Sequence, residues 1–516
     1  MSESTSTNNK RIAKNTMYMY LRMGITMLVS LYTSRVVLSN LGISDFGIYN
    51  VVGSFVAAFS FISGPLSGAT QRFYNYELGR NNEKQVNVIF NMGIIIFLVL
   101  AIFLFLIIQF VGLWFINVKM SLPPERLYVA LIVFEFSIAS FVFNLLKTPF
   151  ESLVIANEKM SFYAWMSIVD VILKLANAFS LILFTGDKLE LFAANVLVIN
   201  IIVAACAVIY CLKKFTYIRF LRVKNFWNRQ TFNSLFGFSA WSLFGSVATM
   251  TATQGLNLLL NVFFGVIVNA AMGVANQINN AVTQFVNSFQ VAFRPQIVKY
   301  YAAEQITELK VLILRTSKVS FLLLFGLLCP FWFNVQYILD LWLGSSNVPE
   351  YAAPFCILMT IYALQESVQA PLFNTVQASG RIKKYQLIIS AAIFLNIIIS
   401  YVFLKMGYNP TIVLIIKCCV DFLYLIIRLG FVKRMIGLSI NSFVKDVLIP
   451  LFIIAILSLI VMFIITSCCI TPLIKLLVSG LIFITIYPVL VLYMGLNKHE
   501  RKTIFDKAKT VVKRKF

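Results

Sequence analysis

The sequence predicts an all-α integral membrane protein with about fourteen transmembrane helices, built as two six-helix bundles in a parallel repeat followed by two further helices. The composition points to a membrane protein, because 60% of the 516 residues are hydrophobic and only 12% are charged. A soluble domain carries about 25% charged residues. Long apolar segments predict the helices, and residues that match at a constant offset between the two halves predict the repeat.

The repeat is clearest at residues 149–163, which read PFESLVIANEKMSFY. Chance matching among apolar helices would give scattered offsets, whereas these matches keep one offset without a gap. Self-similarity at a fixed offset indicates a duplicated unit, and a duplicated unit in a membrane protein points to a transporter built from two halves. At an offset of 222 residues the matched pairs are Arg72/Arg294, Pro149/Pro371, Val154/Val376, Ala156/Ala378, Lys159/Arg381 and Tyr163/Tyr385.

Each predicted helix is a mostly apolar segment of about 20 residues or more, the length that a bilayer requires. The first six form an N-terminal bundle within 1–212 and the next six a C-terminal bundle within 231–433. A basic linker (213–230) joins them, two extra helices occupy 434–494, and a basic tail covers 495–516. The fourteen segments are 15–40, 46–70, 87–117, 127–150, 162–185, 191–212, 231–262, 268–293, 312–338, 352–378, 385–404, 411–432, 446–466 and 471–494.

The basic residues predict the topology. With the N-terminus inside, the inside segments hold thirty Lys and Arg residues and the outside connections hold four. This bias places both termini in the cytoplasm and accounts for most of the net charge of +23 without a nucleic-acid partner. The linker is interpreted as a basic surface at anionic lipid headgroups, with a dock for a polyphosphate ligand as the alternative. The tail from 498 to 516 alternates basic and apolar residues and predicts an interfacial helix.

The sequence contains few of the residue patterns that are typical of enzymes and metal sites. His499 is the only histidine, and the eight cysteines show no CxxC or Cys/His spacing. No disulfide framework or metal site is therefore supported. We expect no catalytic residues, no metal and no cofactor, and no connection is long enough for a separate soluble domain.

Charges within the predicted helices are candidate functional residues, because each costs about 2.5–3.5 kcal/mol to insert. Two pairs at i,i+4 spacing, Asp170/Lys174 and Lys417/Asp421, share a helix face. Each pair either neutralises itself or takes part in transport.

Five further charges lie apart from such pairs. We expect Arg35 and Arg428 to reach toward an interface along their aliphatic stems. Arg22, Glu135 and Glu366 have no evident local partner, so they are the better candidates for a cavity.

Carboxamides form a stripe on the eighth predicted helix, because they recur every three or four residues and so share one face. Facing lipid, their donors and acceptors would stay unpaired, so the stripe faces either another helix or a water-filled cavity. An uncharged lining rich in hydrogen-bonding groups suits a sugar-like solute. The stripe consists of Asn269, Gly273, Asn276, Asn280, Gln284 and Asn287, and the seventh helix adds Thr253, Gln254, Asn257 and Asn261.

The arrangement of six plus six plus two helices resembles the multidrug/oligosaccharidyl-lipid/polysaccharide exporter superfamily, whose fold is MATE-like. The likeness is closest to its polysaccharide branch, the Wzx-type flippases. It is carried by SRVVLSNLGISDFGIYN (34–50), by QRFYNYELGR (71–80) and by the PxxxxVxA segments at Pro149 and Pro371.

The resemblance implies two bundles around a central cavity that opens alternately to either side. The implied cargo is an undecaprenyl-diphosphate-linked oligosaccharide, flipped across the bacterial inner membrane for O-antigen, capsule or exopolysaccharide synthesis. The implied partners are membrane lipids and the glycan polymerase and glycosyltransferases of the same pathway. In this reading Arg22, Arg35 and Lys174 neutralise the diphosphate, and Asn257, Asn276, Asn280, Gln284 and Asn287 bind sugar hydroxyls. Coupling to H+ or Na+ would use Glu135, Asp170, Glu366 or Asp421.

Three other functions stay open. A drug or cation antiporter of the related multidrug branch would need an acidic pocket with aromatic walls, and the basic first helix argues against it. A membrane enzyme such as a glycan polymerase would need a large outside loop. A membrane scaffold that transports nothing is the third.

Overall fold

The structure is a computed structural model that describes residues 3–118, 124–345, 348–467 and 471–495. The described residues form helices and short connecting turns, and they contain no strand. The all-α fold class is therefore confirmed. The predicted interfacial helix at 498–516 lies outside the described residues.

Fifteen α-helices follow one another within the described ranges. The first seven are α1 (Glu3–Ala58), α2 (Ser63–Gly79), α3 (Glu83–Val118), α4 (Leu127–Ala156), α5 (Met160–Leu183), α6 (Lys188–Lys214) and α7 (Val223–Phe226). The others are α8 (Arg229–Ala302), α9 (Ile306–Leu343), α10 (Ala352–Ser379), α11 (Lys383–Lys405), α12 (Thr411–Ile436), α13 (Ile440–Phe443), α14 (Ile449–Ser467) and α15 (Pro472–Leu490).

Eleven stretches of the described residues are long and apolar enough to cross a membrane, so the chain is a multi-pass membrane protein. The other three predicted spans, 268–293, 352–378 and 411–432, are helical as well. Their polar side chains distinguish them: carboxamides in the first, and charged residues such as Glu366 and Asp421 in the other two. Half of the candidate site residues lie in these three spans.

Two glycines divide the longest helices. Gly42 in α1 has φ 76° and Gly265 in α8 has φ 75°. A left-handed φ is accessible to glycine without the steric cost that a Cβ imposes. The two kinks fall between the first and second predicted spans and between the seventh and eighth. The second span then continues past its predicted end, through a 3-10 turn (Phe59–Ile62) and α2, to Gly79.

The helix bounds follow the repeat that the sequence predicts. Helices α4, α5 and α6 correspond to α10, α11 and α12, with most ends 222 or 223 positions apart. Pro149 lies inside α4 and Pro371 inside α10. The turns after these two helices also match, because Glu158 and Gly380 both have positive φ.

The described helices separate into two compact units. Unit 1 comprises Met1–Ser246 and Val291–Gln305, and unit 2 comprises Val247–Gln290 and Ile306–Phe516. Helix α8 belongs to both, since its middle lies in unit 2 and both of its ends lie in unit 1.

The core of unit 1 has two parts. One is an apolar cluster that includes Phe97, Phe134 and Leu181, from α3, α4 and α5. The other packs around Tyr74 and Phe90 near the opposite ends of the helices. Large buried side chains fill both clusters, and their packing holds α1 to α6 together.

In unit 2 the core packs α10 and α12 against α9 and α8, with Phe355, Met359 and Leu414 buried. The two extra helices pack on α9. The Tyr487 hydroxyl of α15 donates to the Leu322 carbonyl at 2.7 Å, and Asn334 Nδ2 lies 3.2 Å from Ser479 Oγ. The extra pair is thus an integral part of unit 2.

The basic linker is seated on unit 1 by backbone recognition. Asn87 and Asn91 of α3 accept the amides of Arg219 and Leu221, both at 2.9 Å, and Asn91 donates to the Arg219 carbonyl. Burial raises the pKa of Tyr217 to about 12, and a hydrogen bond from Asn157 partly offsets this rise. The linker therefore follows a fixed path, with the Arg219 side chain exposed.

Arg126 ties together three connections of unit 1. Its Nη2 lies 2.5 Å from Asp45 Oδ2, near the Gly42 kink, and its Nη1 pairs with Asp187, which caps α6. The Arg126 side chain is 35% exposed, whereas that of Asp45 is 10% exposed. A partly desolvated ion pair depends on both partners, because removing one leaves the other charge without compensation.

We expect Arg126→Ala to lower the stability of unit 1 by about 1–3 kcal/mol, the cost of leaving buried hydrogen-bonding groups unpaired. The measurement is the apparent melting temperature of the purified protein in detergent. Lys188→Ala is the matched control, since Lys188 adjoins Asp187 and forms no ion pair with a described residue. An equal change in both variants would contradict the role of the Arg126 pairs.

Candidate functional site

Unit 1 contains a charged cavity of about 250 Å³ between α1, α4, α5 and α6. We call it the Arg22 cavity. Val203 and Ala207 of α6 form part of its apolar wall. Its polar lining consists of Arg22, Thr26, Lys147, Glu151, Tyr163, Ser167 and Asp170. The structure thus brings together Arg22 and Asp170, which the sequence singled out separately.

Arg22 is the least neutralised charge in this cavity. Its Nη1 donates to Ser167 Oγ at 3.4 Å, and its guanidinium lies 5.2 Å from the centre of the Tyr163 ring. Its Nε is buried and has no hydrogen-bond partner among the described residues. No carboxylate of the described chain forms an ion pair with it. A guanidinium held by a ring and a hydroxyl keeps its charge and its forked donors available to an anion.

Lys147, which lines the cavity, is paired, and so is Lys174, which lies outside the lining but contacts Asp170. Lys174 Nζ lies 2.8 Å from Asp170 Oδ2, which confirms the predicted i,i+4 pair. Lys147 Nζ lies 3.3 Å from Glu151 Oε1, one helical turn along α4. Lys147 and Glu151 are not among the predicted site residues, although their i,i+4 spacing is a usable signal. Lys174 is 39% exposed, so part of its side chain lies outside the protein packing.

A second cavity in unit 1, of about 310 Å³, has no charged residue in its lining. Tyr49, Ser137, Ser140 and Asn144 are among the groups that line it. Ser140 is 8% exposed, and its Oγ has no partner among the described residues. An uncharged cavity gives an anion no compensating charge, so an anionic group would favour the Arg22 cavity.

Unit 2 contains a buried charged cluster centred on Arg428 of α12. Arg428 Nη1 lies 2.9 Å from Glu366 Oε1 and 3.0 Å from Gln369 Oε1, and its Nε donates to the Tyr385 hydroxyl at 2.9 Å. Asp421 is fully buried and accepts from Gln369 Nε2 at 2.6 Å. Two predicted ion-coupling residues, Glu366 and Asp421, therefore share one network.

Three expectations about this region are corrected. Arg428 does not reach an interface, because it is only 7% exposed and paired with Glu366. Glu366 consequently has a partner, 62 residues away in sequence. Lys417 forms no contact ion pair with Asp421 in the described chain; its Nζ lies 4.2 Å from the centre of the Tyr362 ring and 3.6 Å from Met359 Sδ.

The carboxamide stripe lies on the less buried face of the second half of α8. Asn280, Gln284 and Asn287 are exposed, and Asn276 is half-buried. The opposite face carries buried apolar residues such as Val282 and Phe289. The one-face prediction is correct for these residues. Asn257, from the first half, is half-buried and donates to Gln254 at 3.3 Å.

The remaining two candidates lie outside both cavities. Glu135 is exposed on α4, and its Oε1 accepts from Gln109 Nε2 of α3 at 2.5 Å, a partner that is not local in the sequence. Arg35 is exposed on α1. No cluster of His, Cys, Asp or Glu suited to a metal ion occurs among the described residues.

Comparison with known proteins identifies the architecture as that of MATE transporters. Residues 236–402, about a third of the chain, match the MatE family model. An outward-facing multidrug resistance MATE family transporter of the MOP superfamily superposes with a TM-score of 0.70, at 15% identity over 84% of this chain and 97% of that one.

Two further structures agree on the fold. A MOP superfamily transporter from Pyrococcus furiosus gives a TM-score of 0.68 at 14% identity, covering 83% of this chain and 96% of its own. The Vibrio cholerae MATE transporter VcmN in its bent form gives 0.68 at 14% identity, covering 85% and 99%. No curated protein matches the sequence. At these identities the likeness establishes the MATE fold, and function depends on the residues described above.

We expect Arg428→Ala to destabilise unit 2 strongly, because it leaves the buried Asp421 and its neighbour Glu366 without a cation. Removing one partner of a buried ion pair costs about 3–5 kcal/mol. Thermal unfolding of the purified protein measures this effect. Arg434→Ala, at an exposed position of the same helix, is the control and should leave the unfolding temperature nearly unchanged. Equal unfolding temperatures in the two variants would refute the assigned role.

Proposed function

We propose that the protein is a flippase that moves a lipid-linked oligosaccharide, carried on undecaprenyl diphosphate, across the bacterial inner membrane. The observation that carries the proposal is Arg22, a cation without a carboxylate partner among the described residues, in a cavity of unit 1. Holding such a charge at membrane depth costs about 2.5–3.5 kcal/mol. An anionic ligand that binds there recovers this cost, and a diphosphate is an anion whose geometry a guanidinium fits.

The position of Arg22 supports loading from the cytoplasmic leaflet. Lys14 begins the membrane-spanning part of α1 on the predicted cytoplasmic side, and Arg22 follows eight residues later. At 1.5 Å per residue the two lie about 12 Å apart along the helix axis. A headgroup from the cytoplasmic leaflet would reach Arg22 before it reached the middle of the bilayer.

The volume of the Arg22 cavity indicates which part of the ligand it could hold. Cavities for drug-sized ligands measure about 300–1,000 Å³, and the Arg22 cavity measures about 250 Å³. It suits a diphosphate group and is too small for an attached oligosaccharide. The sugars then require another polar surface, for which the exposed carboxamides Asn280, Gln284 and Asn287 supply donors and acceptors. The isoprenoid tail stays in the lipid.

An ion gradient would drive the cycle through the Arg428 cluster. Glu366 and Asp421 compete for one guanidinium, so a proton or Na+ that neutralises one carboxylate changes the partner of the other. This rearrangement links ion binding to the packing of α10 against α12. Both termini face the cytoplasm, no reaction is catalysed, and the glycosyltransferases and glycan polymerase of the same pathway act before and after transport.

We expect Arg22→Ala to reduce the surface glycan in a strain that depends on this protein by about tenfold or more, since it removes a charge-assisted contact worth about 1.5–3 kcal/mol. The combined variant Arg22→Ala/Lys174→Ala should abolish it, while membrane insertion, read from an immunoblot of membranes, is unaffected. Arg22→Lys should keep part of the activity. Lys14→Ala, an exposed cation on the same helix, is the control. Normal glycan in the double variant would exclude the diphosphate assignment.

A drug or cation antiporter is the second candidate. Two observations favour it. One superposed structure of the same fold is a multidrug resistance MATE family transporter, and Asp421 is a buried carboxylate. An organic cation would need such an acidic group in a pocket.

We expect overexpression of the protein to leave the inhibitory concentrations of lipophilic cations unchanged, because the Arg22 cavity repels them. Susceptibility of an efflux-deficient host to a panel of such cations measures this. Resistance that Asp421→Asn removes and Arg22→Ala retains would favour the antiporter over the flippase.

A further inference from the structure

Glu158, in the turn between α4 and α5, has an unusual backbone for a glutamate. Its φ is 58°, in the left-handed region, and its repeat partner is Gly380 with φ 74°. Glycine occupies this region without strain, whereas a residue with a Cβ does so at a cost. At this position the first half of the repeat therefore carries a carboxylate that the second half lacks.

The side chain of Glu158 is 1% exposed and holds the end of α8. Its Oε2 accepts from Gln296 Nε2 at 2.6 Å, and its Oε1 lies 2.6 Å from Lys299 Nζ. Gln296 is itself 2% exposed. The carboxylate is therefore held on both oxygens by groups about 140 residues away in sequence.

Helix α2 leaves room for the same end of α8. A Cβ on Gly79 would lie 2.7 Å from the Lys299 carbonyl oxygen, and one on Gly68 would lie 2.9 Å from Arg294 Nη2. Gly79 cannot carry a side chain unless the backbone of α8 moves, whereas at Gly68 the Arg294 side chain alone would have to shift. The end of α8 is thus seated between α2 and the Glu158 turn by close packing as well as by charge.

Helix α8 connects this contact to the carboxamide stripe. The stripe, up to Asn287, lies in unit 2, and the part of the same helix from Val291 onward lies in unit 1. Pro295 lies inside the helix just beyond this point and contributes no backbone N–H. The residues that would bind sugar are therefore continuous with the segment that Glu158 holds.

We propose that Glu158 is a positioning residue for transport: its carboxylate holds the end of α8 to unit 1 in the conformation described here, and releasing it accompanies opening toward the predicted cytoplasmic side. The proposal rests on alternating access, as the proposed function does, but not on the identity of the cargo. A carboxylate held by a primary ammonium and an amide forms a strong contact. Because both partners lie on one turn of α8, both hydrogen bonds can break together when that turn moves.

The test uses Glu158→Gln and, as matched control, Glu304→Gln. Glu304 also has a left-handed backbone, φ 57°, in the turn that ends α8, and its side chain is exposed. A second variant, Glu158→Gly, removes the carboxylate and also relieves the backbone strain, which offsets part of the cost of losing these contacts. Every variant carries Asn287→Cys as a reporter on the stripe.

The reporter is labelled with a membrane-impermeant maleimide in right-side-out and in inside-out vesicles, and peptide mass spectrometry quantifies modification at position 287 alone. We expect both Glu158 variants to increase labelling from the cytoplasmic side and to decrease it from the other side. The ratio of the two should change by about tenfold, as loss of a charge-assisted hydrogen bond predicts. Glu304→Gln should match the parent.

Two outcomes would overturn the proposal. Labelling that is unchanged in the Glu158 variants would mean that the contact does not influence access. Labelling that rises from both sides would mean that Glu158 only stabilises the fold. Because no glycan enters the assay, these outcomes are distinct from a failure of the flippase assignment, which the Arg22 variants test.

Discussion

Charges at membrane depth require compensation, and this requirement organises the structure. Water is absent there, so a charge needs an opposite charge, several donors or an aromatic face. Arg428 obtains a carboxylate, a carboxamide and a phenol from α10 and α11, and these contacts hold α12 in one rotation about its axis. Lys417, on the same helix, has its ammonium group over the Tyr362 ring instead. The packing of unit 2 thus follows from how one helix meets the needs of its own charges.

Unit 1 applies the same rule with a different result. Lys174 and Lys147 are balanced within their own helices, at i,i+4, and need nothing from neighbouring elements. Arg22 is balanced least, by a hydroxyl and a ring that leave most of its electrostatic field uncompensated. Among the cations described above, the one with the weakest compensation lines a cavity, which is more typical of a binding site than of a packing core.

Sequence reasoning succeeded where the physics is local. Helix existence, the repeat and the Asp170/Lys174 pair follow from apolar length, a fixed offset and helical spacing, all of which can be read along the chain. It failed where the partner lies on another helix. Glu366 contacts Arg428 because of the way α10 and α12 are rotated about their axes, which no spacing rule specifies. For the same reason Lys417 contacts Tyr362 and forms no ion pair with Asp421 in the described chain. Nothing in the sequence singles out Glu158, because its backbone conformation has no signature in a single sequence.

The charges of α12 have a consequence for biosynthesis. A helix that carries Lys417, Asp421 and Arg428 is a poor substrate for insertion by itself, since each charge adversely affects its partition into lipid. During synthesis α10 emerges before α12, so Glu366 and Gln369 are already in the bilayer when Arg428 arrives. The nascent chain therefore brings its own counter-ion ahead of the charge that needs it, and the order of helices along the gene becomes a condition for assembling unit 2.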